Sequence, residues 1–214
     1  ETAAPSQSRE SRAAAADFVW RVPAWAPPPA VPADNPMSEA KVRLGRHLFY
    51  DKRLSRDGSL ACAGCHDQAR AFTDGRAVGL GIRGETGKRN PMGLANVGYL
   101  PVLTWANPNL KSLELQALVP IFGEHPTEMG MAGREEVLFA RLAADAVYPP
   151  LFRAAFPELG GAISLATVTR ALAAFQRSLI SLSSPYDRYR YGGGPHPIPQ
   201  AAQRGRGGLL PPPP

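Results

Sequence analysis

Cys62-Ala63-Gly64-Cys65-His66 is the segment whose residue types and spacing dictate a specific chemistry. C-x-x-C-H is the arrangement for covalent attachment of c-type haem. One turn of helix presents two thiols to the two vinyl groups of a porphyrin, and the adjacent imidazole is carried under the iron as an axial ligand. Ala63 and Gly64 are small and leave room for the macrocycle. The chain has 2 cysteines and 4 histidines, so the motif consumes every thiol. Two other readings stay open. A zinc site would need two further ligands, for which His47 and His125 are available, but no second cysteine pair exists. A redox dithiol would need a βαβ context that the sequence does not offer. A pair this close cannot staple a domain, which excludes a disulfide framework.

The sixth coordination position decides what such a haem does. A Met or a second His there makes an electron-transfer centre, and the candidates are Met92, Met129, Met131, His47 and His125. An open position beside a carboxylate makes a peroxide-reacting one. Glu128, in His125-Pro-Thr-Glu-Met-Gly130, is the residue for that role, moving the peroxide proton between the two oxygens. Haem c attachment implies maturation outside the cytoplasm, which agrees with a chain beginning at Glu1, and a periplasmic location is expected for a bacterial protein.

The elements that must position these residues are helical. The 214 residues allow one generous domain or one and a half, and 44% hydrophobic content is enough for a core. The 21 glycines and 23 prolines, about one residue in five, demand long loops. The net charge of +6 suits an acidic partner or surface. The cations are scattered without interleaved aromatics, which argues against nucleic acid, and no apolar run is long enough to span a bilayer.

Residues 1–33 read as an extended, proline-rich N-terminal arm that lies on the domain through Trp20 and Trp25. Asn35 as cap, Pro36 at the first position and Ala40, Leu44 and Leu48 predict a helix from Pro36 to Tyr50. Glycine-punctuated loops follow, with a short helix around the cysteines. Leu113–Val119 reads as a helix stopped by Pro120, and Arg134–Ala144 as another. Ser164 caps a helix whose Leu165, Val168, Leu172, Phe175 and Leu179 form one face. Residues 34–190 are therefore an all-α, cytochrome c-like haem domain with irregular loops. Residues 191–214 read as an unstructured tail or the stub of a further domain.

Beyond the haem motif, a set of segments resembles a known family. They are Leu44-Gly-Arg-His-Leu-Phe-Tyr-Asp51, Leu54-Ser55, Ala71-Phe-Thr-Asp-Gly-Arg76, Lys88-Arg-Asn90, Leu94-Ala-Asn96, Trp105, Leu113 to Pro120, Pro126-Thr-Glu-Met-Gly130 and Ser184-Pro-Tyr-Asp-Arg188. Their order is similar to that in bacterial di-haem cytochrome c peroxidases and their MauG-like relatives. The runs Val31 to Glu39, Thr104 to Asn109 and Phe122 to His125 look most similar to the methanobactin- and copper-associated MauG-like branch.

The resemblance implies one covalent haem c with His66 as proximal ligand, Gln116 and Glu128 in the distal pocket, Trp105 between two haems, and Asn90 as a ligand of an interdomain calcium. It implies an oxidoreductase that reacts with hydrogen peroxide to form high-valent iron, reduced by a second haem or a partner protein, with oxidation of Trp on that partner as the MauG-like precedent. The family's removable distal histidine has no counterpart between Gly79 and Lys88, where Gly81 and Ile82 stand near its place, so an open iron is expected. A second C-x-x-C-H domain would follow in the family. Its absence here leaves a mono-haem electron carrier and a non-functional fragment as the alternatives.

Overall fold

The helix that carries the Leu44 and Leu48 stripe, α1 (Glu39–Tyr50), crosses α7 (Leu165–Arg177), and the core forms around this crossing. The computed structural model describes residues 18–105, 107–193 and 198–209. Between these two helices in the chain come α2 (Cys62–Cys65), α3 (Leu113–Gln116), α4 (Leu118–Phe122), α5 (Glu135–Ala143) and α6 (Tyr148–Ala155). The described residues contain isolated β-bridges but no strand, so the all-α expectation holds.

Gly45 is what permits the close α1–α7 crossing. A Cβ there would lie 1.9 Å from the Ala171 carbonyl oxygen, so only hydrogen fits. Leu44, Leu48 and Phe49 join Ala171, Leu172 and Phe175 in one buried cluster with Phe152 and Phe156 of the α6 region.

Three boundaries differ from expectation, each for a local reason. The first helix begins at Glu39 because Ser38 is its cap, its Oγ accepting from Lys41 N at 3.2 Å. Asn35 cannot serve there, since its Nδ2 donates to Glu114 and to the Arg170 carbonyl while its Oδ1 accepts from Lys41 Nζ. Pro120 does not stop a helix. It sits in the first turn of α4, where its missing N–H would be unpaired anyway. Helix α6 falls where no helix was expected from the sequence, and both Pro149 and Pro150 occupy its first turn. The Ser164 cap is present as expected and forms a capping box with Thr167.

The described residues fall into two units, 18–20 with 29–180, and 21–28 with 181–209. The division thus falls at Ile180, inside the 34–190 span expected from the sequence. In the second unit α8 (Pro185–Tyr191) is capped by Ser184 and Asp187, and Trp25 stacks on Tyr191 at 4.1 Å. Trp25 thus stacks within the second unit, and residues 1–17 of the expected arm lie outside the described residues. A further helix, α9 (Gln200–Leu209), stands in the stretch read as an unstructured tail or the stub of a further domain. Its Ala, Gln and Arg residues outweigh three glycines, and Gln203 Nε2 closes on the Ile198 carbonyl at 3.0 Å.

Candidate functional site

The two thiols sit on α2, a single turn whose last backbone bond runs from the His66 N–H to the Cys62 carbonyl at 2.9 Å. That turn brings Cys62, Cys65 and His66 to one cavity. His66 Nδ1 lies 2.8 Å from the Phe72 carbonyl and 2.9 Å from the Met92 carbonyl. Two acceptors facing Nδ1 place the proton on it and leave Nε2 as the free donor atom, which is how a ligating histidine is oriented. The loop geometry that achieves this is unusual. Ala71 and Phe72 both take left-handed backbone, at φ 55° and 61°, and the Phe72 N–H donates to Asp67 O at 2.8 Å. Thr73 Oγ1 then clips the chain to the Pro91 carbonyl at 2.7 Å, bringing Met92 alongside.

Burial pushes His66 below its ordinary value, despite the two carbonyls, so the ring is neutral at pH 7 as a metal ligand must be. Burial also pushes the Cys62 thiol up to about 12 and raises Cys65. Two neutral thiols are the opposite of an activated redox pair, which counts against the dithiol reading. The zinc reading lacks geometry, because His47 and His125 line two other surfaces. Among the described residues no three His, Cys, Asp or Glu side chains cluster as a metal site.

The cavity is a narrow slot of about 50 Å³. Its walls are largely apolar, with Phe49 of α1, Leu94, Ile121 and Leu172, and its polar groups are Gln116, Glu128 and Gln176. An apolar slot with two thiols and a neutral imidazole along one wall fits a covalently held haem.

Glu128 is held by its backbone from three sides. Ile82 N–H donates to its carbonyl at 3.0 Å, and Met129 N–H donates to Pro120 O of α4 at 2.9 Å. Arg56 N–H donates to Met129 O at 2.8 Å, and Thr127 N–H to Glu85 at 2.9 Å. The glycine loop therefore serves as a clamp. A Cβ on Gly81 would lie 2.0 Å from the Thr127 carbonyl, and one on Gly130 would meet Ile82. Burial raises the Glu128 carboxyl above the ordinary range.

Gln116 is placed by α3, which Ser112 caps and Glu114 ties to α7 through Arg177 at 3.0 Å. Of the candidate sixth ligands, Met129 lines the cavity, Met131 is buried in the core, and Met92 contributes its carbonyl to His66. Trp105 is 55% exposed and does not line the cavity. Its indole N–H donates to the Asn90 carbonyl at 2.9 Å, which joins the two residues in one surface loop.

Phe49 and Gln176 line the cavity without having been singled out by sequence reasoning. Gln176 carried a legible signal, a polar residue four positions after Leu172 on an apolar helix face. The Phe72 and Met92 carbonyls carried none, because any residue type supplies a carbonyl.

Residues 39–194 match the family model described as di-haem cytochrome c peroxidase. The methylamine utilization protein MauG of Methylophilus methylotrophus is 37% identical over 180 residues, covering 83% of this chain and 51% of that protein. The cytochrome c551 peroxidase of Pseudomonas aeruginosa is 30% identical over 158 residues, covering 74% of this chain and 44% of that one. Among solved structures, a MauG-like protein associated with microbial copper homeostasis superposes with a TM-score of 0.83 at 49% identity, covering 88% of this chain and 54% of that one. The chain spans about half the length of these relatives. With the haem-type cavity and the match over residues 39–194 together, the chain belongs to the di-haem cytochrome c peroxidase family.

Proposed function

We propose that this chain is the peroxide-reacting haem domain of a MauG-like peroxidase, with one haem c joined to Cys62 and Cys65 and ligated by His66. The observation that carries the reading is that Glu128 and Gln116 face the same cavity as the motif. When bound, the haem supplies the iron at which peroxide binds and the electrons that cleave its O–O bond. The Glu128 carboxylate accepts a proton from one peroxide oxygen and returns it to the other, so that water departs. Burial raises its affinity for protons, the direction that helps a carboxylate take one and give it back. The Gln116 side chain holds the peroxide by hydrogen bonding, and the apolar walls keep bulk water out.

The electrons come from a partner haem domain or protein, with Trp oxidation on a partner protein as the MauG-like outcome. Trp105 is the relay toward the partner haem domain, and Asn90 beside it is a calcium ligand shared with that domain. Haem c attachment places the mature protein in the periplasm. Among the described residues no helix is long and apolar enough to cross a membrane.

The test is a peroxide titration of the holo-protein followed at the Soret band. Glu128→Gln should slow the spectral change by about 10² or more. An unchanged rate overturns the role given to Glu128.

A second reading rests on Met129, whose side chain is 2% exposed and lines the cavity. If its thioether closes the iron, the domain is an electron carrier. A low-spin resting spectrum that Met129→Leu converts to high-spin supports the carrier, and a high-spin resting spectrum supports the peroxidase.

A further inference from the structure

The exposed side of α1 has no role in the cavity, and it is strongly cationic. Arg43, Arg46, His47 and Tyr50 recur at i, i+3, i+4 and i+7 and are all exposed, so they form one stripe. With Lys52 they line an open concavity on the same unit as the haem motif. Its one carboxylate, Asp51, is engaged by Arg53 and by the Tyr148 hydroxyl, and Arg53 is further paired with Asp145. Arg43, Arg46 and Lys52 make no ion pair with any described residue. Three unpaired cations around a shallow bowl fit a partner that presents carboxylates.

The same stripe ends on an aromatic path to the motif. Tyr50 is 42% exposed, with its hydroxyl donating to Gln68 Oε1 at 3.1 Å. Its ring packs edge-on to Phe49 at 5.4 Å between centroids, and Phe49 lies 6.4 Å from the His66 ring. Phe175 backs both, at 5.1 Å from Phe49 and 6.4 Å from Tyr50. Contact is thus continuous from the cationic surface to the histidine.

We propose that this face of α1 docks an acidic one-electron donor protein, with Tyr50 and Phe49 as the route by which its electron reaches the group held at His66. The proposal rests on the haem reading above. One electron leaves the donor's reduced centre and the haem gains it. No bond forms or breaks, and Tyr50 and Phe49 end unchanged.

The experiment uses the holo-protein and an octaglutamate peptide carrying a ruthenium tris(bipyridyl) photoreductant. Binding is read by calorimetry at two salt concentrations, and electron transfer by flash photolysis of the complex. Reversing the three cations, Arg43→Glu, Arg46→Glu and Lys52→Glu together, should weaken binding by about 10-fold or more, since attraction is replaced by repulsion. Reversing Arg56, Arg83 and Arg134, which line a different concavity, should change it by less than about 3-fold. Tyr50→Leu should slow electron transfer within the complex by about 10-fold, through loss of ring contact with Phe49, with the rate read at saturating peptide so that a change in affinity does not enter it.

Equal weakening by both triple variants, or none by the first, overturns the docking face. An electron-transfer rate unaffected by Tyr50→Leu overturns the route. If a triple variant does not fold, the three single reversals replace it, each expected to weaken binding in a salt-dependent way. A wild-type chain that takes up no covalent haem overturns the function proposed above and with it the route, while the affinity measurements still judge the docking face alone.

Discussion

Glu114 Oε1 lies 3.0 Å from Arg177 Nη2, and this ion pair joins the helix that presents Gln116 to the helix that presents Leu172 and Gln176. The two side chains are 15% and 4% exposed, so the pair is nearly dry. Asn35 Nδ2 at 2.8 Å and Ser112 Oγ at 2.7 Å also donate to the carboxylate. Two walls of the cavity therefore depend on one charge contact.

Removing one partner should be far worse than removing both. Glu114→Ala leaves the Arg177 cation buried and uncompensated, at a cost of about 3–5 kcal/mol. For a chain of this size the melting temperature should fall by roughly 6–20 °C. Replacing both residues, Glu114→Leu with Arg177→Met, should cost clearly less. Thermal unfolding of the three proteins checks this, and a double variant worse than the single would refute it.

The same carboxylate sets an acid limit. Burial alone would raise Glu114, but the Asn35 hydrogen bond, the Arg177 charge and the Ser112 hydroxyl hold it below the ordinary value. A lowered native-state value means its stabilisation is present above the unfolded-state value and is lost as pH falls through the lowered one. Acid titration of stability should show this loss in the wild type and not in the double variant.

Glu128 titrates in the opposite sense. Desolvation raises it, so its contribution to stability is complete below the ordinary carboxylate value and is lost as pH rises through the raised one. Glu128→Gln should therefore be more stable than wild type above that window and equal to it below. A stability difference independent of pH would contradict the assignment.

Gly81→Ala tests the clamp on Glu128 without touching its side chain. The new Cβ would meet the Thr127 carbonyl, backbone against backbone, and the overpacking should cost about 1–3 kcal/mol. The displaced loop should also lower the peroxide rate toward that of Glu128→Gln. Ala at Gly84, where a Cβ would meet nothing within 4 Å but φ is +76°, should cost only the backbone strain of about 1 kcal/mol and leave the rate intact.

Cys62→Ser with Cys65→Ser should abolish covalent haem, read as the mass of the denatured chain. Either single variant should retain one thioether. Full haem retention in the double variant would remove the basis of the site.

The sequence by itself determined the local features. Cys62, Cys65 and His66 are adjacent, so one helical turn brings them together wherever the rest of the chain goes. The Ser164 cap and the Leu165 to Phe175 stripe likewise depend only on near neighbours and helix period. Tertiary structure decided everything that needed distant partners. Asn35 is not a cap because its Oδ1 accepts from Lys41 Nζ while its amide N–H is held by Glu114, 79 residues away. The His66 tautomer follows from the carbonyls of Phe72 and Met92, which any residue could supply. That Glu128 faces the motif depends on the glycine loop and on α4, and that Tyr50 connects outward depends on how α1 crosses α7. Such contacts are set by close packing of surfaces far apart in the chain, which spacing along the sequence does not encode.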